Sequence, residues 1–152
     1  GLIGSFRLGE HKNTNSYAHK VIKSYKEIGS QAIFYGFKNQ EFVEEKMKTS
    51  SIIVIPSIWE EPFGLVAAEA MSNGITIIAS KVGGMPEIIG DNGVLIENIN
   101  YKKLKKNLIE LLKNNFLRES YQQKAWKNFK LSSVLSSKKL DDYRRIIFQN
   151  YY

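Results

Sequence analysis

The sequence contains no cysteine among its 152 residues. That absence excludes disulfide bonds and thiolate metal sites, and it is in keeping with a cytoplasmic protein. No apolar run approaches the roughly 18 residues of a membrane span, so we expect no transmembrane helix. The N-terminus has no positively charged stretch ahead of an apolar one, hence no visible signal peptide. We therefore predict a cytoplasmic location, with peripheral contact to the inner face of the plasma membrane as a further option.

Two kinds of functional motif are also missing. No G-x-G-x-x-G follows a predicted strand, which disfavours a dinucleotide oxidoreductase. The only histidines, His11 and His19, are not spaced with acids as metal ligands are. Surface positions are the simpler interpretation for both.

Charge is distributed unevenly along the chain. The net charge is +7, yet residues 1–100 hold nine Lys/Arg against eleven acids, and residues 101–152 hold thirteen against four. Such asymmetry predicts an anionic partner for residues 101–152, and an anionic membrane surface fits it. Nucleic acid is not expected, because no recognised binding motif is present. A solvated basic helical face is the plain alternative.

Apolar runs alternate with helical patterns. Strands are predicted over 32–35, Ile52–Ile55, 75–79 and 93–96, preceded by a strand end at Leu2-Ile3. Helices are predicted over 17–28, Gln40–Lys48, 63–72, Met85–Ile89 and from Tyr101, with further helical stretches near 116–130 and 133–150. Alternation of this kind predicts an α/β fold, a Rossmann-like parallel sheet with helices on both faces.

Small residues follow the predicted strands. The pairs are Gly4-Ser5, Gly36-Phe37, Pro56-Ser57 and Gly83-Gly84. Ligands of open parallel sheets bind beyond the carboxyl ends of the strands. We therefore expect these four strand ends to converge on one binding site.

The most informative segment is 61–71, which reads E-P-F-G-L-V-A-A-E-A-M after a buried strand. A helix is predicted to open near Phe63, and Gly64 would expose backbone N–H groups suited to phosphate. Glu61 and Glu69 flank that opening and would lie roughly 12 Å apart if the segment were helical throughout. Carboxylates accept hydrogen bonds from sugar hydroxyls, so the segment is interpreted as a clamp for a nucleotide sugar.

The longer pattern P-S-x-W-E-E-P-F-G-L-x-x-x-E-A-M, followed by G-G-M-P-E at 83–87, resembles a known family. It is similar to the C-terminal, donor-binding domain of family 4 retaining glycosyltransferases, which have the two-domain GT-B architecture. The resemblance covers about residues 2–112, so 1–112 is predicted to be a donor-binding domain and 113–152 basic helices packing on it. The family's first strand–helix unit and its N-terminal acceptor-binding domain are not in this sequence. The chain alone is therefore not expected to turn over.

The resemblance implies roles for individual residues. Glu69 would hold the ribose hydroxyls, where a solvent-exposed helix acid is the alternative. Glu61 would be the catalytic residue, close to the transferred sugar, where an acid favoured by the helix dipole is the alternative. The remaining donor-binding candidates are Ser57, Phe63, Gly64, Leu65, Val66, Gly36, Phe37, Lys38, Gly83 and Gly84. Phe63 and Val66 are expected to serve the core as well, and Phe37 to border the nucleobase or to pack in the core.

The implied activity is transfer of a hexose-type sugar, with retention, from a nucleoside diphosphate sugar to a cell-envelope glycan or lipid-linked acceptor, as in lipopolysaccharide biosynthesis. The sequence has no Asp-x-Asp, the motif with which metal-dependent transferases of the other major fold hold a cation. We accordingly expect metal-independent donor binding and no cofactor. A non-catalytic nucleotide-binding module and a sugar-nucleotide epimerase of the same fold remain alternatives.

Overall fold

A computed structural model describes residues 2–3, 20, 23–24, 26–27, 29, 32–60 and 62–129. Several predictions fall outside these residues, among them Glu61, the strand end at Gly4-Ser5 and the helical stretch 133–150. Within the predicted helix 17–28, the described positions 20, 23–24 and 26–27 have helical backbone. No helix in the described part of the chain is long and apolar enough to cross a membrane.

The chain divides into two compact units, Gly1–Lys46 and Met47–Tyr152. In the first unit, strand β1 (Leu2–Ile3) pairs in parallel with β2 (Phe34–Gly36). Helix α1 (Gln40–Lys48) follows and continues across the boundary between the units. Tyr35 and Phe42 pack edge to face with ring centroids 5.1 Å apart, which ties β2 to α1.

The second unit contains a three-stranded parallel sheet in the order β3-β4-β5. Its elements, in chain order, are β3 (Ile52–Ile55), α2 (Leu65–Ser72), β4 (Thr76–Ser80), α3 (Met85–Ile89), a 3-10 turn (Gly90–Asn92), β5 (Val94–Ile96), α4 (Tyr101–Lys113) and α5 (Asn115–Asn128). Strands that alternate with helices and pair only in parallel confirm the predicted α/β class.

The core lies around β4, whose five residues are all buried. Alternate side chains of a strand point to opposite faces, so Ile78 lies on one face while Ile77 and Ala79 lie on the other. On its face Ile78 packs with Ile96 of β5 and Leu111 of α4. Because both faces of β4 are covered, its sequence is a continuous apolar run apart from its two ends.

One buried hydroxyl and two exposed asparagine side chains fasten the helices. The Thr76 hydroxyl donates to the Arg118 carbonyl at 2.9 Å and so ties β4 to α5. Asn100 and Asn114 cap α4 and α5, accepting from backbone N–H groups of Lys103 at 3.0 Å and Leu117 at 2.9 Å. Each such cap contributes about 1 kcal/mol to helix stability.

Most element bounds match the sequence predictions, with α1, β3 and α3 as predicted. Strand β2 ends at Gly36 and β4 starts at Thr76, each displaced from its predicted bounds by one or two residues. The start of α2 is wrong by two residues: it begins at Leu65, not Phe63. The reason is Gly64, whose left-handed backbone (φ 74°, ψ 51°) cannot continue a right-handed helix.

Candidate functional site

Two loops of the second unit lie backbone against backbone. A side-chain Cβ built at Gly84 would fall 2.6 Å from the Pro62 carbonyl oxygen and 3.2 Å from the Phe63 Cα. Only glycine permits that approach, because a backbone carbonyl has little freedom to move aside. The loop after β4 therefore sets the position of the segment that leads into α2.

The same two loops meet at a second point. A Cβ at Gly64 would lie 3.0 Å from the Met85 sulfur and 3.1 Å from its terminal methyl. Met85 is fully buried, and the positive φ of Gly64 adds a second requirement for glycine. The E-P-F-G-L and G-G-M-P-E motifs are thus one structural unit in which each loop supplies a glycine that the other needs.

The N-terminus of α2 is open. The Gly64 carbonyl accepts from the N–H groups of Ala67 at 2.9 Å and Ala68 at 3.2 Å, and no side chain caps the helix. Among the described residues, nothing accepts a hydrogen bond from the N–H of Leu65 or Val66. Two unpaired N–H groups at the positive end of a helix dipole suit an anion such as phosphate.

The prediction that Phe63 and Val66 serve the core is wrong. Phe63 is 49% exposed and Val66 42% exposed. Alanines and a methionine form the buried face of α2 instead: Ala67, Ala68, Ala70 and Met71. Because the helix starts two residues later than predicted, Leu65 and Val66 lie in its first turn, with exposed side chains.

Glu69 lies one turn along α2 from Leu65, about 6 Å further along the axis and on the same side of the helix. It is half-buried. Its carbonyl accepts from the Ser72 hydroxyl and the Asn73 amide, both at 2.8 Å. Within the described part of the chain, no group contacts its carboxylate by a hydrogen bond or ion pair, so the carboxylate oxygens are available to a ligand.

An open cleft of about 550 Å³ lies at the carboxyl ends of β3, β4 and β5. Ser57 and Gly83 both line it, so two of the four predicted strand ends come together here. Gly36-Phe37 belong to the first unit and Gly4-Ser5 lie outside the described residues. The cleft also contains Ser80, whose buried hydroxyl has no partner among the described residues and suits a ligand hydroxyl or an ordered water.

An ion pair that was not predicted from the sequence lies at the rim of this cleft. Lys81 Nζ lies 2.6 Å from the Glu97 carboxylate, and Lys103 Nζ donates to the Glu97 carbonyl at 2.7 Å. Lys81, through its hydrogen bond and then its charge, holds the pKa of the Glu97 carboxyl below its usual value. Ser80 pairs with Ile96 across the sheet, so the residues that follow them meet. Only the strand register could have revealed this pair.

The predicted nucleobase contacts lie in the first unit. Gly36 has a positive φ of 68°, and Phe37 is 80% exposed, which removes the alternative that Phe37 packs in the core. Lys38 Nζ lies 5.1 Å from the Phe42 ring centroid, a cation–π contact that holds its ammonium beside α1.

The predicted catalytic acid, Glu61, lies outside the described residues. The estimate that Glu61 and Glu69 are roughly 12 Å apart assumed a continuous helix, and that premise is wrong because α2 begins only at Leu65. Within the described ranges, no three His, Asp or Glu side chains lie close enough to hold a metal ion. Metal-independent donor binding stays a prediction.

Residues 4–128 match the family described as glycosyl transferases group 1. The chain belongs to this family. It spans about a third or less of the length of the curated relatives it matches. An uncharacterized glycosyltransferase of Methanocaldococcus jannaschii is 40% identical over 121 residues, which cover 78% of this chain and 32% of the relative.

Solved structures place this family member among C-terminal domains of the GT-B fold. The C-terminal domain of a glycosyl transferase group 1 family protein from Francisella tularensis aligns with a TM-score of 0.67 at 28% identity, covering 76% of this chain and 64% of that one. HepE of Anabaena, in complex with UDP-glucose, aligns with a TM-score of 0.68 at 21% identity, covering 92% and 40%.

A methyl group at Gly84 tests the contact between the loops. We expect Gly84→Ala to lower the free energy of unfolding by about 3 kcal/mol, since the new carbon meets backbone. Gly74→Ala is the matched control, because Gly74 has a positive φ after the end of α2 and a Cβ there would meet only ordinary contacts, at 3.7 Å or more. That variant should lose only about 1 kcal/mol. Urea unfolding measures both, and equal losses would contradict the close contact.

Removal of the Lys81 ammonium tests the ion pair. We expect Lys81→Gln to raise the pKa of Glu97 toward the ordinary carboxyl value, measured from the carboxyl ¹³C shift against pH. In the parent protein the ion pair stabilises the fold at pH values above the ordinary carboxyl pKa. That stabilisation is lost as the pH falls through the lowered pKa of Glu97. Lys103→Gln should raise the pKa less, because Lys103 is the smaller influence. An unchanged titration in Lys81→Gln would exclude the pair.

Proposed function

We propose that this chain is the donor-binding part of a retaining glycosyltransferase. The enzyme would move a hexose-type sugar from a nucleoside diphosphate sugar to a cell-envelope glycan or lipid-linked acceptor. The observation that carries the proposal is the half-buried carboxylate of Glu69, which has no partner among the described residues and lies one turn along from the open N-terminus of α2. Membership of the glycosyl transferases group 1 family supports it.

The donor would lie along the first turns of α2. Its diphosphate would accept hydrogen bonds from the N–H groups of Leu65 and Val66, and its ribose hydroxyls would donate to Glu69. The exposed side chains of Phe63, Leu65 and Val66 would shield the phosphates from water, which strengthens those hydrogen bonds. HepE, which shares the fold, was crystallised with UDP-glucose, and this supports the same class of donor.

In the proposed transfer with retention, the protein forms no covalent intermediate with the sugar. The bond from the anomeric carbon to the diphosphate breaks, and the acceptor oxygen bonds to that carbon on the same face. The acceptor proton passes to the departing phosphate. In this scheme Glu61 contacts the sugar and steadies positive charge at the anomeric carbon, while the α2 N–H groups stabilise the charge that develops on the leaving diphosphate.

A change at Glu69 combined with a change in the ribose tests the clamp. We expect Glu69→Ala to weaken UDP binding 10- to 100-fold, the worth of hydrogen bonds to a charged group. The parent protein should bind 2′-deoxy-UDP more weakly than UDP, whereas Glu69→Ala should bind both alike. Calorimetric titration measures all four affinities.

Glu119→Ala is the control for that titration, because Glu119 is also a helix glutamate but is exposed and lies on α5. It should leave UDP affinity unchanged. A deoxyribose penalty that persists in full in Glu69→Ala would exclude Glu69 as the ribose ligand. GDP and ADP, titrated in parallel, identify the base.

The phosphate site has a separate test that does not involve the ribose. Addition of inorganic pyrophosphate should shift the backbone amide resonances of Leu65 and Val66, because their N–H groups are the proposed donors. The amides of Leu108 and Leu111, inside α4 and already hydrogen-bonded, serve as the reference within the same spectrum. Shifts of equal size at both places would mean that pyrophosphate binds without preference for α2.

A further inference from the structure

Helix α4 has two different faces. Leu104, Leu108 and Leu111 pack on the sheet. At 3.6 residues per turn, the helix leaves an exposed arc of about 120° that begins on one flank of these leucines and ends at the side opposite them. We call this arc the outer face of α4; it consists of Lys102, Lys105, Lys106, Ile109, Leu112 and Lys113, and Glu110 lies next to it.

Large apolar side chains are exposed on and beside this face. Leu112 is 59% exposed and Ile109 39% exposed, while Tyr101 at the start of α4 is 73% exposed. Phe116, in the first turn of α5, is 84% exposed. A single exposed apolar residue needs no explanation. Ile109 and Leu112, three residues apart on one helix, are neighbours on its surface and together present exposed apolar surface to water.

The charge around these residues is nearly all of one sign. Helix α4 carries five lysines, all exposed, and a single acid, Glu110. Within the described part of the chain, no carboxylate lies within ion-pair distance of Lys102, Lys106 or Lys113. Lys105 lies over the Tyr101 ring, 5.7 Å from its centroid. The positive charge of the outer face is therefore left for a partner to neutralise.

We propose that the outer face of α4 binds the surface of an anionic phospholipid bilayer. The lysine ammonium groups contact the phosphate and carboxylate headgroups, and Ile109 and Leu112 enter the boundary between headgroups and acyl chains. Nucleic acid offers the same negative charge but no apolar layer, so it would leave Ile109 and Leu112 without a contact. The combination of lysines with exposed aliphatic side chains favours lipid.

This inference goes beyond the proposed glycosyltransferase function and does not depend on it. The lysines of α4 lie in a different segment from Leu65, Val66 and Glu69. Loss of nucleotide binding and loss of vesicle binding are separate measurements on the same chain, so either proposal can fail alone.

Vesicle co-sedimentation of the full chain tests the proposal. We expect binding to vesicles of phosphatidylcholine and phosphatidylglycerol at 7:3, and at least tenfold weaker binding to pure phosphatidylcholine. Substituting Lys102, Lys105, Lys106 and Lys113 together with glutamine should weaken binding to the anionic vesicles at least tenfold. Glutamine keeps helix propensity, and circular dichroism checks that the variant folds.

A matched control removes four other exposed lysines. Substituting Lys20, Lys23, Lys26 and Lys48 with glutamine changes the net charge equally and should weaken vesicle binding much less. Equal losses in the two variants would mean that total charge, not the outer face, attracts the vesicles. An unchanged affinity in the α4 variant would assign binding to other residues and overturn the proposal.

The chain has no cysteine, which makes insertion directly measurable. A polarity-sensitive fluorophore on Leu112→Cys should shift to the blue and brighten with anionic vesicles, whereas the same label on Glu87→Cys in α3 should not. The contrary outcome has two parts: a 20-base-pair DNA duplex binds through the same lysines, and the Leu112 label does not shift with vesicles. Together they would identify a surface that binds polyanions in general. That result would overturn the proposal.

Discussion

The contact on which the site depends is the one between two backbones, at Gly84 and Pro62. It holds the segment before α2 against the loop after β4, and the neighbouring fit of Gly64 against Met85 sets where the helix starts. The directions of the open N–H groups and the position of Glu69 follow from that start. A motif that is read as a set of ligand-binding residues is therefore first a packing arrangement, and its glycines act through the space they leave free.

Sequence patterns predicted the α/β class and most of the elements, because β3 and β4 are apolar runs covered on both sides and α4 has a clear helical period. They placed the start of α2 wrongly because the determinant is not local. Nothing within 61–65 shows that Gly64 adopts a left-handed backbone under a methionine 21 residues further on. The wrong prediction that Phe63 and Val66 are buried has the same cause.

The part of the candidate site that lies within one segment of the chain could be predicted from the sequence. Glu69 and the N–H groups of Leu65 and Val66 lie on a single helix, so spacing alone brings them together. The orphaned Ser80 hydroxyl and the Lys81–Glu97 pair depend on strand register, which no single segment reveals. Composition showed that residues 101–152 are basic, but only the packing of α4 shows which lysines share a face with exposed Leu112.

The missing cap of α2 links ligand binding to the stability of the fold. A serine or aspartate cap would contribute about 1 kcal/mol to the helix, but the left-handed backbone at position 64 and the neighbouring Met85 leave no room for one. Without a ligand, two amide hydrogens at the front of α2 have no acceptor among the described residues, so the helix is held below the stability it can reach. A bound anion supplies the absent acceptor, and the resistance of this unit to unfolding then rises with ligand concentration.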